Sequence, residues 1–238
     1  MTVGADAQIL GERLAAVAAL VSAGRPAADI GSDHGRLPRM LIASRRVPRC
    51  IASERNRARL VNFATFPSGH RLAGSLEVRV GDGLEVLRPE DGVHTVVLAG
   101  MGARTIVEML ARADLQRLRP GRLVLQPQTE PQRVRRWLLT HGHAIADERL
   151  ALEQGRFYEV VAAEPAADAT PLRHPSLSGE DLLVAGPRLV ERPDPLLGEL
   201  WARRLRRLDE IGRSAGSHRP TIAAQIRQAR RILDALDA

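Results

Sequence analysis

The chain has one cysteine, Cys50, and no lysine at all. A single thiol excludes a disulfide scaffold. Seven histidines are scattered over 238 residues without forming a ligand cluster, so no metal site is expected. No apolar run reaches the roughly 18 residues of a membrane helix. Residues 1–11 show no basic stretch followed by an apolar core, so no secretory leader is visible. No membrane association is expected, and the expected compartment is cytoplasmic. The length allows one large domain, or one of about 150 residues with an appendage.

The absence of lysine leaves all 35 basic residues as arginine, against 28 acids, for a formal charge of +7. A high-GC coding bias accounts for that choice, although arginine is also the better fork for phosphate. The charge is uneven. Arg36, Arg39, Arg45, Arg46, Arg49, Arg55, Arg57 and Arg59 face one acid, Glu54, between positions 36 and 59. From Glu199 onward nine arginines, Arg203 and Arg207 among them, face five acids. Each cluster reads either as a solvated helix face or as an approach surface for a polyanion.

Apolar periodicity and Gly/Pro punctuation divide the rest. Helices are predicted over 10–21, 36–45, 55–66, 102–111 and 131–141. Strands are predicted over 27–31, 49–53, 76–80, 93–99 and 122–126, followed by an antiparallel pair over 144–152 and 156–164. Strand and helix alternate, then a hairpin closes the sheet: an α/β three-layer domain with mostly parallel strands. Residues 166–195 read as a Pro- and Gly-rich connector with one short helix near Leu182. Two amphipathic helices over 196–211 and 221–236 read as an αα-hairpin, with Trp201 in its core. The expected organisation is a domain over 1–165, a connector over 166–195 and a helical hairpin over 196–238.

The chemistry is expected where strands end. Asp29-Ile30-Gly31-Ser32-Asp33-His34-Gly35 follows the first strand and precedes a helix. The Gly-x-Gly-x-x-Gly spacing that seats a pyrophosphate is absent, which disfavours a dehydrogenase. Two carboxylates, Asp29 and Asp33, suit a cofactor with a cationic end; S-adenosylmethionine has a sulfonium and an α-amine. Glu54 ends the second strand, where an acid accepts hydrogen bonds from ribose hydroxyls. Asp82, between Gly81 and Gly83, ends the third and suits an adenine amino group. Ala99-Gly100-Met101-Gly102 ends the fourth and leaves room for a flat acceptor. It offers no amide or carboxylate to an exocyclic amine, so a ring nitrogen is the better nucleophile. Such a nitrogen needs in-line placement and stabilisation of the positive charge that forms, a role for which Asp33 is the candidate.

In order, the stretch 29–37, Glu54, Gly81-Asp82-Gly83, Ala99-Gly100-Met101-Gly102, Leu125-Gln126-Pro127 and Phe157-Tyr158-Glu159-Val160 resemble the bacterial tRNA (adenine-N1)-methyltransferases that modify adenine 22. The resemblance covers nearly the whole chain, including Arg13-Leu14 and the C-terminal helices. It implies a class I methyltransferase, Rossmann-like, with a seven-stranded sheet, and S-adenosylmethionine as cofactor. It implies Asp29, Gly31 and His34 near the methionine part, Glu54 at the ribose, and Asp82 with Gly83 at the adenine. Asp33, Gly100, Met101 and Gly102 are implied at the target base, and the helical hairpin as a tRNA grip. The arginines expected to meet tRNA are Arg36, Arg39, Arg55, Arg57, Arg59, Arg203 and Arg207. No DNA partner is expected, and the expected assembly is a monomer or weak dimer. The chain departs from the family pattern at Arg36, Ala58 and Gln128. The alternatives are methyl transfer to another tRNA nucleotide or a small molecule, and a non-catalytic RNA-binding protein.

Overall fold

A computed structural model describes residues 11–62, 70, 72–166, 172–192, 194–214 and 220–237. The chain divides into two compact units, Met1–Ala169 and Thr170–Ala238.

The first unit is built on seven strands: β1 (Ala27–Ile30), β2 (Cys50–Glu54), β3 (Leu76–Val80), β4 (Thr95–Met101), β5 (Arg122–Pro127), β6 (His143–Glu153) and β7 (Arg156–Pro165). Their order across the sheet is β3-β2-β1-β4-β5-β7-β6. The first five are parallel, while β7 runs antiparallel to both β5 and β6. The helices are α1 (Glu12–Leu20), α2 (Arg36–Ala43), α3 (Ala103–Arg112), α4 (Leu115–Leu118) and α5 (Pro131–Thr140).

Strand alternation sends neighbouring residues to opposite faces. Val97 packs with Val17, Leu20, Leu37 and Leu41 of α1 and α2. Its neighbours Val96 and Leu98 pack with Ile106, Leu110, Val134 and Leu138 of α3 and α5. Both faces are therefore covered, which is why the central strands are near-continuous apolar runs. The three-layer α/β architecture expected from the sequence is the one observed. The order in which the chain adds parallel strands reverses between β1 and β4, so their carboxyl ends leave a crevice there.

Two elements differ from expectation. The helix expected over 55–66 is a 3-10 helix over Arg57–Asn62, and 63–69 lie outside the described residues. The stretch read as a connector carries the short helix expected near Leu182, α6 (Gly179–Ala185), and a second that was not expected, α7 (Pro187–Glu191). A capping box starts α6: Asp181 N donates to Ser178 Oγ at 3.1 Å, and Ser178 N to Asp181 Oδ2 at 3.2 Å.

In the second unit α8 (Pro195–Ser214) and α9 (Pro220–Leu236) lie antiparallel, with Asp209 near Arg230 and Gly212 near Ile226. Trp201 is 3% exposed, which suits a core residue and excludes a base-stacking platform. Asp181 fixes α6 to α9. Its Oδ1 accepts from Gln228 Nε2 at 3.0 Å and Arg231 Nη2 at 2.9 Å.

Candidate active site

A cleft of about 520 Å³ opens at the carboxyl ends of β1, β2, β3 and β4. Its floor is the β1–α2 loop. Asp29 is buried, and Ser32 Oγ donates to its Oδ2 at 2.6 Å. Burial pushes the Asp29 carboxyl up to about 6, against the pull of the Ser32 bond and the Arg13 charge. The loop turns sharply: Gly31, Asp33 and Gly35 all have positive φ, at 73°, 50° and 68°. Two bonds tie it to β2, Gly31 N to Ser53 Oγ at 3.3 Å and Ser32 N to the Ser53 carbonyl at 2.8 Å. The left-handed φ favours glycine at 31, and a Cβ there would also lie 2.4 Å from Met101 Cε, the far end of a flexible side chain.

Glu54 is buried at the end of β2, and its Oε1 accepts from Asn56 N at 2.7 Å. Asp82 lies beyond β3, 3.5 Å from Arg112 Nη2. Asp33 is half-exposed on the rim, 3.1 Å from Arg59 Nη1 and 3.4 Å from His34 Nε2. On the opposite wall, β4 bulges between Ala99 and Met101 around a left-handed Gly100, φ 78°.

The cleft brings together Asp29, Gly31, Asp33, His34, Glu54, Asp82, Gly83, Gly100 and Met101, with Arg36, Arg55 and Arg59 among its arginines. Gly102, Arg39 and Arg57 do not line it. Gly102 is instead the N-cap of α3. Arg203 and Arg207 lie on α8 in the second unit, where Arg203 pairs with Glu199 at 2.8 Å.

The chain matches a family model described as tRNA (adenine(22)-N(1))-methyltransferase over residues 27–235. It is 30% identical over 202 residues to the tRNA (adenine(22)-N(1))-methyltransferase of Bacillus subtilis (strain 168), covering 85% of this chain and 84% of that one. The chain belongs to the tRNA (adenine(22)-N(1))-methyltransferase family. Sp1610 of Streptococcus pneumoniae, solved in complex with S-adenosyl-L-methionine, has the same fold, with a TM-score of 0.81 and 29% identity over 93% of this chain and 98% of that one. The B. subtilis M1A22 tRNA methyltransferase TrmK gives 0.74 and 26% over 95% and 96%. Membership in the family bears out the Rossmann-like methyltransferase fold, the S-adenosylmethionine cofactor and the tRNA methyltransferase activity expected from the sequence.

Two residues of this family member are not singled out for the site by the sequence alone. Gln126, fully buried at the end of β5, accepts at Oε1 from Gly100 N and from Arg13 Nη1, both at 3.0 Å. Arg13 lines the cleft from α1. For Gln126 the available signal is an amide closing an otherwise apolar strand. Arg13 enters the sequence reading only through the Arg13-Leu14 pair of the family resemblance, which assigns it no place in the site.

Proposed function

We propose that the chain transfers a methyl group from S-adenosylmethionine to N1 of adenine 22 in tRNA, and that the cleft is where it does so. The observation that carries this reading is the convergence of Asp29, Glu54 and Asp82, from three successive strand ends, on one cleft with the Gly100-Met101 turn.

The residues present fit the cofactor. Asp29 suits an ammonium group, buried Glu54 suits ribose hydroxyls, and Asp82 with Gly83 suits an adenine edge. At Gly31 the space a Cβ would take is filled by the methyl of Met101, a flexible side chain that can yield to a ligand approaching the backbone. Bound there, S-adenosylmethionine supplies an electrophilic methyl group. Gly100 and Met101 present a wall without a competing proton acceptor, so adenine N1 is the atom best placed to attack. N1 faces a pairing partner in folded tRNA, so the base must be exposed first. Asp33 then stabilises the cation that develops on the ring. Arg36, Arg55 and Arg59 at the rim meet phosphates, and Arg203 with Arg207 on the α8–α9 hairpin adds to that grip. The same reading places the enzyme in the cytoplasm, as a monomer or weak dimer. Among the described residues no helix is long and apolar enough to cross a membrane.

The test is incubation with S-adenosylmethionine and unmodified tRNA, followed by mass spectrometry of nucleosides and of mapped fragments. N1-methyladenine at position 22 is the expected product. N6-methyladenine, a guanine product or a methylated metabolite overturns the assignment.

A further inference from the structure

Gln128 carries the only side-chain amide among the described residues that line the cleft. It stands just past β5, at one of the positions where the chain departs from the family pattern. The backbone around it is fixed. Gln128 N donates to the Met101 carbonyl at 2.8 Å, and the preceding Pro127 carbonyl accepts from Gln126 Nε2 at 2.9 Å. The Gln128 side chain is exposed and, among the described residues, meets no hydrogen-bond partner. Its Nε2 lies 4.0 Å from where a Cβ of Gly100 would be, so the absence of a side chain at Gly100 leaves the amide open to the cleft.

The sheet order decides which ligand it faces. Asp29, Glu54 and Asp82 belong to β1, the end of β2 and the turn after β3, on one side of the crevice. The ends of β4 and β5 form the other side, so a methyl acceptor placed across from the cofactor comes against Gly100, Met101 and Gln128. The carboxylates of the cleft only accept hydrogen bonds, its guanidiniums only donate, and the two ring nitrogens of His34 point apart. A hydroxyl presents a single atom. The amide accepts at Oε1 and donates at Nε2 from one planar end. That pair matches the N6 amine and N7 of adenine, and mismatches guanine, which offers acceptors at both O6 and N7. A contact with the Watson–Crick edge would cover N1. The N6/N7 contact lies on the far side of C6 and leaves N1 open to the methyl group.

We infer that Gln128 is a specificity-determining residue for the target base, pairing in plane with N6 and N7 of adenine. This rests on the functional reading above and deepens it by naming the edge of the base that is read.

The test compares the wild-type chain with Gln128→Met, a side chain of similar length without the amide. Each is assayed on tRNA carrying adenine or 7-deazaadenine at position 22; the analogue has a C–H in place of N7. Gln128→Met should lower kcat/KM about 10- to 100-fold on adenine, the discrimination of a two-bond amide–adenine pair. The loss on 7-deazaadenine should be several-fold smaller, because one of the two bonds is already gone. Comparing the loss on each base cancels the different basicity of N1 in the two. The affinity for S-adenosylhomocysteine, measured by calorimetry, should stay the same, which also shows that the variant is folded. Equal losses on both bases, or no loss on either, overturn the inference while leaving the functional reading intact. A matching loss of S-adenosylhomocysteine affinity also overturns it, and gives Gln128 to the cofactor. Wild-type protein that forms no N1-methyladenine on the adenine-22 tRNA overturns the functional reading and this inference together.

Discussion

Asp33 Oδ1 accepts from Arg59 Nη1 at 3.1 Å, with 53% of one side chain and 56% of the other open to solvent. An ion pair so exposed contributes about 1 kcal/mol or less to stability, so either partner is replaceable without unfolding the chain. That separates two functions of Asp33. If it stabilises charge in the transition state, Asp33→Ala slows methyl transfer about 10²- to 10³-fold, the size of one lost transition-state contact. Cofactor affinity then changes little, because Glu54 and Asp82 remain. If it only anchors Arg59, Asp33→Ala and Arg59→Gln both raise the KM for tRNA and leave kcat alone. Single-turnover rates measured at saturating tRNA decide between them, and the first outcome is expected.

The rim arginines make a second prediction. Arg36, Arg55 and Arg59 line the cleft, while Arg39 and Arg57 do not. Each phosphate contact contributes a slope of about −0.9 in log K against log salt on a duplex, and about −0.7 on a single strand. Replacing Arg55 or Arg59 by Gln should reduce the slope by about one contact each. The same change at Arg39 should leave it where it was. Filter binding of tRNA across a salt series provides the measurement, and equal slopes for all variants would reduce the rim charge to a solvated face.

Most of this fold is legible in the sequence because its elements announce themselves. The apolar runs of β1, β4 and β5 lie between Gly and Pro breaks, and three strand ends carry acids on a cofactor's scale of spacing. What is not legible depends on partners far away in sequence. Arg135 reads as one more solvated arginine, yet its side chain is fully buried, donating at 2.6 Å to Glu148 Oε1 on β6 and at 2.6 Å to Glu159 Oε2 on β7. Arg13 and Gln126 are 113 positions apart, and only the packing of α1 on the β5–β7 end of the sheet brings them together. By contrast, α6 carries a local signal, Ser178-Gly179-Glu180-Asp181, whose capping-box spacing marks a helix start inside the supposed connector.

Gly31 and Met101 give a third prediction. The clash that Gly31→Ala would create is with the terminal methyl of a flexible side chain, at 2.4 Å, so Met101 can yield. The left-handed backbone cannot, and an L side chain there costs about 1–2 kcal/mol. Gly31→Ala should therefore fold with a lowered Tm and lose cofactor affinity, as Met101 and the new methyl both crowd the cleft. Adding Met101→Ala should recover part of the affinity and none of the backbone strain. Thermal unfolding and calorimetry on the pair separate the two costs; a single variant with wild-type Tm and affinity would show the close approach to be incidental.

Asp29 sets the last prediction, through the direction of its shift. Its carboxyl titrates near 6 in the folded chain, above the ordinary 3.8, because burial disfavours the charged form more than the Ser32 bond and Arg13 favour it. For an acid whose folded value is raised, the protonated form is the one folding favours. Without ligand, the Asp29 contribution to stability is therefore most favourable below about pH 4 and diminishes as pH rises toward 6, levelling off above. Binding of an ammonium group asks for the opposite, since only the carboxylate pairs with it. The affinity for S-adenosylhomocysteine should be flat from pH 8 to about 7 and fall steadily below 6, with one proton taken up per ligand released. Its amine stays charged throughout that range, so the change reports on the protein. Asp29→Asn should bind more weakly at pH 8 and lose this pH dependence. Calorimetry in two buffers of different ionisation enthalpy counts the proton directly. A variant that keeps the wild-type pH profile would assign the titration to another group and remove Asp29 from the ammonium site.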